Sequence, residues 1–216
     1  MASVDVTATL ERLRVVPVIT IHDPGHASPL AAALEAGGLP CAEITLRTPK
    51  AVEALRRITG EHPGVLAGAG TVLNVRQARE ACDAGAAFVV SPGFSQGVVE
   101  YCLGVDIPVY PGVCTPTEIG AALEMNLSVL KFFPAEAIGG IPLLRAISGP
   151  FREVRFIPTG GITAANVSQY LALDNVVACG GSWMASADWI AEGQFERITV
   201  AVGEAVKITG KHGEPA

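Results

Sequence analysis

Ser128-Val129-Leu130-Lys131-Phe132-Phe133-Pro134 reads as a buried strand that carries one amine. Side chains of an extended chain alternate, so Val129, Lys131 and Phe133 share one face and Leu130 and Phe132 the other. Both faces are apolar, as in a parallel strand lying between a sheet interior and a covering layer of helices. Lys131 is then expected inside, where an ammonium loses hydration and its pKa falls from about 10.4. A neutral lysine amine is a nucleophile, and attack on a carbonyl to give an imine is the chemistry that needs one. A strand-end lysine that snorkels to water is the alternative, and this stretch alone does not exclude it.

The rest of the chain suits such a strand. Half of the 216 residues are hydrophobic and only 17% are charged, enough for one large core without disulfides or metal, so a single domain over 1–216 is expected. The aliphatic-rich composition with 24 glycines favours α/β architecture. Cys41, Cys82, Cys102, Cys114 and Cys179 are odd in number and widely spaced, and read as small buried hydrophobes. No apolar run reaches the roughly 18 residues of a membrane span, and Met1-Ala2-Ser3-Val4-Asp5 lacks signal-peptide features, so a soluble cytosolic protein is expected. A net charge of −6 argues against nucleic acid as partner. His22 and His26 would share a face only in a helix, which Pro24 and Gly25 oppose, so no metal site is expected there.

In chain order, a helix over 5–14 leads into a strand at 15–20. Ser28 and Pro29 read as the start of a helix that ends at Gly37-Gly38. A strand at 41–46 precedes a helix opened by Thr48 and Pro49. A strand at 65–72 precedes a helix with Asn74 as cap and Gly85 as stop. A strand at 87–91 precedes a short helix from Ser95 to about Gly104. After a strand at 107–110, Thr115, Pro116 and Glu118 give cap, first-turn proline and capping-box acid, and that helix ends near Asn126. The Lys131 strand, a helix over 142–147, a strand at 154–158, a helix capped by Thr163, a strand at 176–179, a helix over about 194–208 and a polar tail complete the chain. Eight strands alternating with helices predict a (β/α)8 TIM barrel with an N-terminal helix. A doubly wound sheet is the runner-up, but no glycine fingerprint follows the first strand.

In the strand at 41–46, Glu43, Thr45 and Arg47 alternate with Ala42, Ile44 and Leu46. The polar set must face the barrel interior, where a carboxylate and a guanidinium need partners or a ligand. A structural ion pair between Glu43 and Lys131 across the barrel remains open. Other strands end in small residues: Ala67-Gly68-Ala69-Gly70-Thr71, Ser91-Pro92-Gly93 and Tyr110-Pro111-Gly112. Thr159-Gly160-Gly161 and Gly180-Gly181-Ser182 end adjacent strands, and their bare amides can approach a phosphate closely, at the usual phosphate position of this fold.

Two motifs resemble the 2-keto-3-deoxy-6-phosphogluconate (KDPG) / 4-hydroxy-2-oxoglutarate (KHG) aldolases. They are Gly38-Leu39-Pro40-Cys41-Ala42-Glu43-Ile44-Thr45-Leu46-Arg47, and Lys131-Phe132-Phe133-Pro134-Ala135 followed by Gly139. The glycine turns fall in family order, so the resemblance covers nearly the whole chain. Asn126 departs from it, standing where the family usually has glycine. The resemblance implies that Lys131 forms a Schiff base, Glu43 moves protons and Arg47 holds the substrate carboxylate. It also implies that Thr71, Pro92 and Phe133 line a pyruvyl pocket, with Thr159, Gly160, Gly161, Gly181 and Ser182 at the phosphate end. No cofactor or metal, a small keto-acid phosphate substrate and a homotrimer are implied as well. Two rivals use the same residues differently: a non-covalent phosphate-binding barrel (isomerase, epimerase or synthase) with Lys131 only as a charge, and a non-catalytic sugar-phosphate sensor. The sensor ranks last, on the expectation that Lys131 is buried without a partner.

Overall fold

The structure, a computed structural model, describes residues 5–210; the reading of 1–4 as lacking a signal segment and the polar tail after 210 lie outside the described residues. The strands are short: β1 Val15–Ile19, β2 Cys41–Thr45, β3 Leu66–Gly70, β4 Val89–Val90, β5 Val109–Tyr110, β6 Gly112–Val113, β7 Val129–Phe132, β8 Arg155–Pro158 and β9 Cys179–Gly181. All strand pairs are parallel. They form a six-stranded ladder in the order β5-β4-β3-β2-β1-β9 and a three-stranded ladder β6-β7-β8. Neighbours follow chain order, with β9 returning to β1, so the sheet curls and has no switch point of the doubly wound kind. Pro111 separates β5 from β6 because its nitrogen has no hydrogen to donate to a ladder. On the other side, isolated bridges pair Phe156 with Val176 and Thr159 with Gly180.

Helices cover the outer face. Leu30 and Leu34 of the helix Ala27–Ala36, and Leu55 and Ile58 of Ala51–Glu61, share one core with Ala42 and Ile44 of β2. A second core joins Leu130, Phe132 and Phe156 to Leu144 and Tyr170 of the helices Gly140–Ser148 and Val167–Leu171. The alternation read around Lys131 and along β2 therefore holds. Inside the curled sheet a third cluster gathers Val16, Cys41, Phe88, Val90, Tyr110 and Ile157, and the N-terminal helix Val6–Leu13 adds Val6 and Leu10 to it. Gly68 is required there, because a Cβ would collide with the Phe88 ring.

The caps divide into two groups. Asp5 and Asn74 accept amide hydrogens at 3.0 Å, and Thr115 with Glu118 closes the expected capping box of Pro116–Glu124. Asn126 is left-handed at φ 60, as its place at a helix end requires. Ser28 does not cap. A 3-10 turn over Pro24–His26, itself capped by Asp23, starts the helix earlier, and Ser28 instead bonds His62 at 2.8 Å. Thr48, Ser95 and Thr163 make no side-chain cap either; the Thr48 hydroxyl donates to the Ile21 carbonyl at 2.6 Å. A five-residue helix, Ala187–Ala191, was not expected.

Candidate active site

β2 and β7 each bury one charged side chain facing the sheet interior. Glu43 is 3% exposed and Lys131 is 5% exposed, and Lys131 Nζ stands 3.1 Å from Glu43 Oε1. The expectation of an unpaired amine is thus corrected: the hydrocarbon around the two groups leaves each as the other's nearest compensation. Lys131 Nζ also lies 5.3 Å from the centroid of the Phe133 ring, within cation–π reach. Gly70 of β3 makes room for the pair, since a Cβ there would strike the Glu43 carboxylate. Burial, and then the Glu43 charge, push the neighbouring Cys41 thiol above the usual thiol range.

A pocket of about 460 Å³ opens at the C-terminal ends of β1, β2, β7, β8 and β9; Lys131 and Glu43 are not on its lining but on a small interior hollow with Val16 and Tyr110, and Phe133, on the pocket wall, is the ring that Lys131 approaches. The pocket takes Arg47, Phe133, Thr159, Gly160, Gly161, Gly181 and Ser182 from the expected set. Thr71 is not on its lining, but its hydroxyl accepts from Arg47 Nε at 3.2 Å, and it does so from a left-handed backbone at φ 56. Pro92 is not on the lining either; its carbonyl lies against Gly112, where a Cβ would collide with it. Val18, Thr20, Ile162, Ala185, Ser186 and Ala187 also line the pocket and were not anticipated. Thr20 carried a legible signal, being in phase with Val16 and Val18 on the strand at 15–20. It meets Thr45 Oγ1 at 2.9 Å. The others are small or apolar and look like any core or turn residue.

The two ends of the pocket differ in charge. Among the described residues Arg47 is the only lysine or arginine on the lining, and the sequence has no lysine or arginine between Thr159 and Met184. Gly160 and Gly161 adopt φ 100 and 80, left-handed angles that favour glycine. His22 and His26 line a separate hollow with Asp23, and no group of three or more metal-ligating side chains occurs among the described residues. A buried amine and a carboxylate in contact at 3.1 Å thus stand near a pocket with a guanidinium and, elsewhere on its wall, a turn of bare backbone.

Parallel strands that converge on a buried lysine and a cation-poor glycine turn define a lysine-bearing α/β site, and sequence comparison says of which kind. The family described as "Aldolase: KDPG and KHG aldolase" matches residues 6–201. The chain belongs to that family. It is 50% identical over 201 residues to the 2-dehydro-3-deoxy-phosphogluconate aldolase of Treponema pallidum (strain Nichols), covering 93% of this chain and 96% of that one. To the KHG/KDPG aldolase of Escherichia coli (strain K12) it is 48% identical over 193 residues, 89% and 91% of the two chains. Among solved structures, the KDPG aldolase of Legionella pneumophila with pyruvate captured as a covalent carbinolamine superposes with a TM-score of 0.88 at 41% identity, covering 91% of this chain and 96% of that one. The 2-keto-3-deoxy-6-phosphogluconate aldolase of Zymomonas mobilis ZM4 with 3-phosphoglycerate gives 0.85, also at 41% identity, covering 93% and 94%.

Proposed function

We propose that this chain is a class I aldolase that cleaves 2-keto-3-deoxy-6-phosphogluconate to pyruvate and glyceraldehyde 3-phosphate. Cleavage of 4-hydroxy-2-oxoglutarate to pyruvate and glyoxylate belongs to the same reading. The observation that carries it is the buried contact of 3.1 Å between Lys131 and Glu43 near the pocket. The relatives named above support the substrate class, and the carbinolamine of the Legionella enzyme supports the covalent route.

In this mechanism Lys131 passes a proton to Glu43 and attacks the 2-keto carbon; Glu43 returns that proton to the carbinolamine hydroxyl, which leaves as water, so a protonated imine forms and Glu43 is a carboxylate again. That imine is an electron sink. Glu43, directly or through one water, takes the proton of the C4 hydroxyl; the bond between C3 and C4 breaks, the aldehyde leaves, and an enamine remains. Glu43 returns a proton to C3, and water releases pyruvate from Lys131. Arg47 holds the carboxylate through two parallel hydrogen bonds. Thr71, Pro92 and Phe133 border the pyruvyl group, while Thr159, Gly160, Gly161, Gly181 and Ser182 form the phosphate end. Backbone amides there replace a cation.

Borohydride added with pyruvate should fix one reduced adduct on Lys131, read by peptide mass. A non-covalent phosphate-binding enzyme would give none. Lys131→Met should abolish cleavage, and Glu43→Gln should keep trapping while slowing cleavage by about 10²- to 10⁴-fold. Lys131→Met leaves the Glu43 carboxylate without its partner, at a cost of roughly 3 to 5 kcal/mol, so the double variant Lys131→Met/Glu43→Gln serves as the folded control. Cleavage by either Lys131 variant would end the Schiff-base assignment.

The architecture belongs to the same reading. The two ladders, with Pro111 on one side and the bridges at Val176 and Gly180 on the other, suit one closed (β/α)8 barrel forming a single domain. A homotrimer rests on family membership alone. A cytosolic location is supported by five free cysteines.

A further inference from the structure

The turn at Gly160 and Gly161 is held from behind. The Gly160 carbonyl accepts the Glu136 amide hydrogen at 3.0 Å, and the Gly161 carbonyl accepts from Asn166 Nδ2 at 3.1 Å. A trans peptide points its N–H opposite its carbonyl, so these two bonds turn the amides of Gly161 and Ile162 the other way. Both residues line the pocket, and among the described residues neither amide has a protein acceptor. Anion recognition at this turn therefore depends on the strut that ties its carbonyls back.

Glu136 is the half of that strut that holds Gly160, through its backbone amide, and its exposed side chain carries a carboxylate. Its methylene groups pack against Gly161, where an added Cβ would stand 2.6 Å from the Glu136 Cβ. Its carboxylate does not line the pocket. It lines a separate hollow of about 350 Å³ with Asn166 and Tyr170, and there accepts the Tyr170 hydroxyl hydrogen. Tyr170 is fully buried, and burial, then the hydrogen bond to Glu136, push its phenol well above the usual range, so it stays a donor. Gly140 is bare where the two groups meet: a Cβ there would come within 3.0 Å of the Tyr170 oxygen and 3.1 Å of Glu136 Oε1.

We propose that Tyr170 is a positioning residue for phosphate specificity: it holds the Glu136 carboxylate on the far side of the glycine turn, away from an anion seat that has no lysine or arginine in its turns. Released, the carboxylate swings on two methylenes toward the seat and repels a phosphate dianion. The inference rests on the phosphate end assigned above. It makes Tyr170 matter for the phosphorylated acid and leaves the unphosphorylated one indifferent.

Tyr170→Phe keeps the ring in the core and removes only the hydroxyl. It should raise the KM for 2-keto-3-deoxy-6-phosphogluconate and the Ki of inorganic phosphate by about tenfold, with kcat little changed. Kinetic constants for 4-hydroxy-2-oxoglutarate should not move. Glu136→Gln keeps the methylenes and removes the charge, so the double variant Tyr170→Phe/Glu136→Gln should recover most of the lost phosphate affinity. Equal losses on both substrates, an unchanged phosphate Ki in Tyr170→Phe, or no recovery in the double variant would each overturn the proposal. A wild-type enzyme that cleaves both acids but ignores inorganic phosphate would instead displace the seat itself, and the proposal with it.

Discussion

At the scale of single residues, the site depends on side chains that are absent as much as on those present. Gly70 stands opposite Thr45 in the β2–β3 ladder, and the space above its Cα is filled by the Glu43 carboxylate. Gly70→Ala should therefore move Glu43 off Lys131 and slow cleavage by about 10-fold or more, as misplacement of a reacting group does. Borohydride trapping at Lys131 should persist; wild-type turnover in this variant would show that the carboxylate's place is not critical. Lys131 was legible as a charge set among apolar strand residues, and Glu43 and Arg47 as a polar phase alternating with an apolar one, although Arg47 itself lies in the turn after β2. Tyr170 and Glu136 were not legible. Tyr170 on its helix looks like any core aromatic, and Glu136 is an exposed acid whose contact with the glycine turn no sequence pattern marks. The partner of Lys131 was open in the sequence, because alternation tells which face a side chain takes and not what stands across from it.

At the scale of elements, strands and helices were readable where the signal is local. The box at Thr115 and Glu118 formed as expected because both of its hydrogen bonds lie within one turn. Ser28 misled because the chain was already turning at Pro24–His26, a start set by Asp23 five residues earlier. Ala187–Ala191 is too short to show a helical period. Burial raises the Glu118 carboxyl, but the amides of Cys114 and Thr115 and the Thr115 hydroxyl outweigh it, so the net shift is downward. A carboxylate held below its unfolded value adds stability above the unfolded pKa, and this is lost as pH falls through the folded one. Glu118→Gln should therefore flatten the acid limb of a denaturation-against-pH curve relative to wild type. Thr115→Ala should cost about 1 kcal/mol at neutral pH in the same experiment. An acid limb as steep in Glu118→Gln as in wild type would contradict the role of the box.

At the scale of the whole molecule, the repeat of strand and helix was plain, while the division of the sheet into two ladders was not. It follows from proline chemistry at Pro111 and from bridges too sparse to extend β9, where Gly180 and Gly181 carry no side chains to mark a strand. Assembly was the least legible property, since exposed Leu73, Leu103 and Val200 form no stripe that a sequence pattern reveals. Sedimentation at micromolar concentration should give the mass of three chains, and the mass of one would contradict the trimer. Glu43 stands on the six-stranded ladder and Lys131 on the three-stranded one, so their ion pair is a stitch across a seam. The pocket straddles that seam, with Arg47 and Gly181 on one side and Phe133 and Gly160 on the other. A keto-acid phosphate bonded to Lys131 and gripped at both ends would act as a rivet through two plates. On that reading the empty enzyme should breathe along this line more than the trapped one, and amide exchange at the seam that does not slow after borohydride trapping with pyruvate would contradict it.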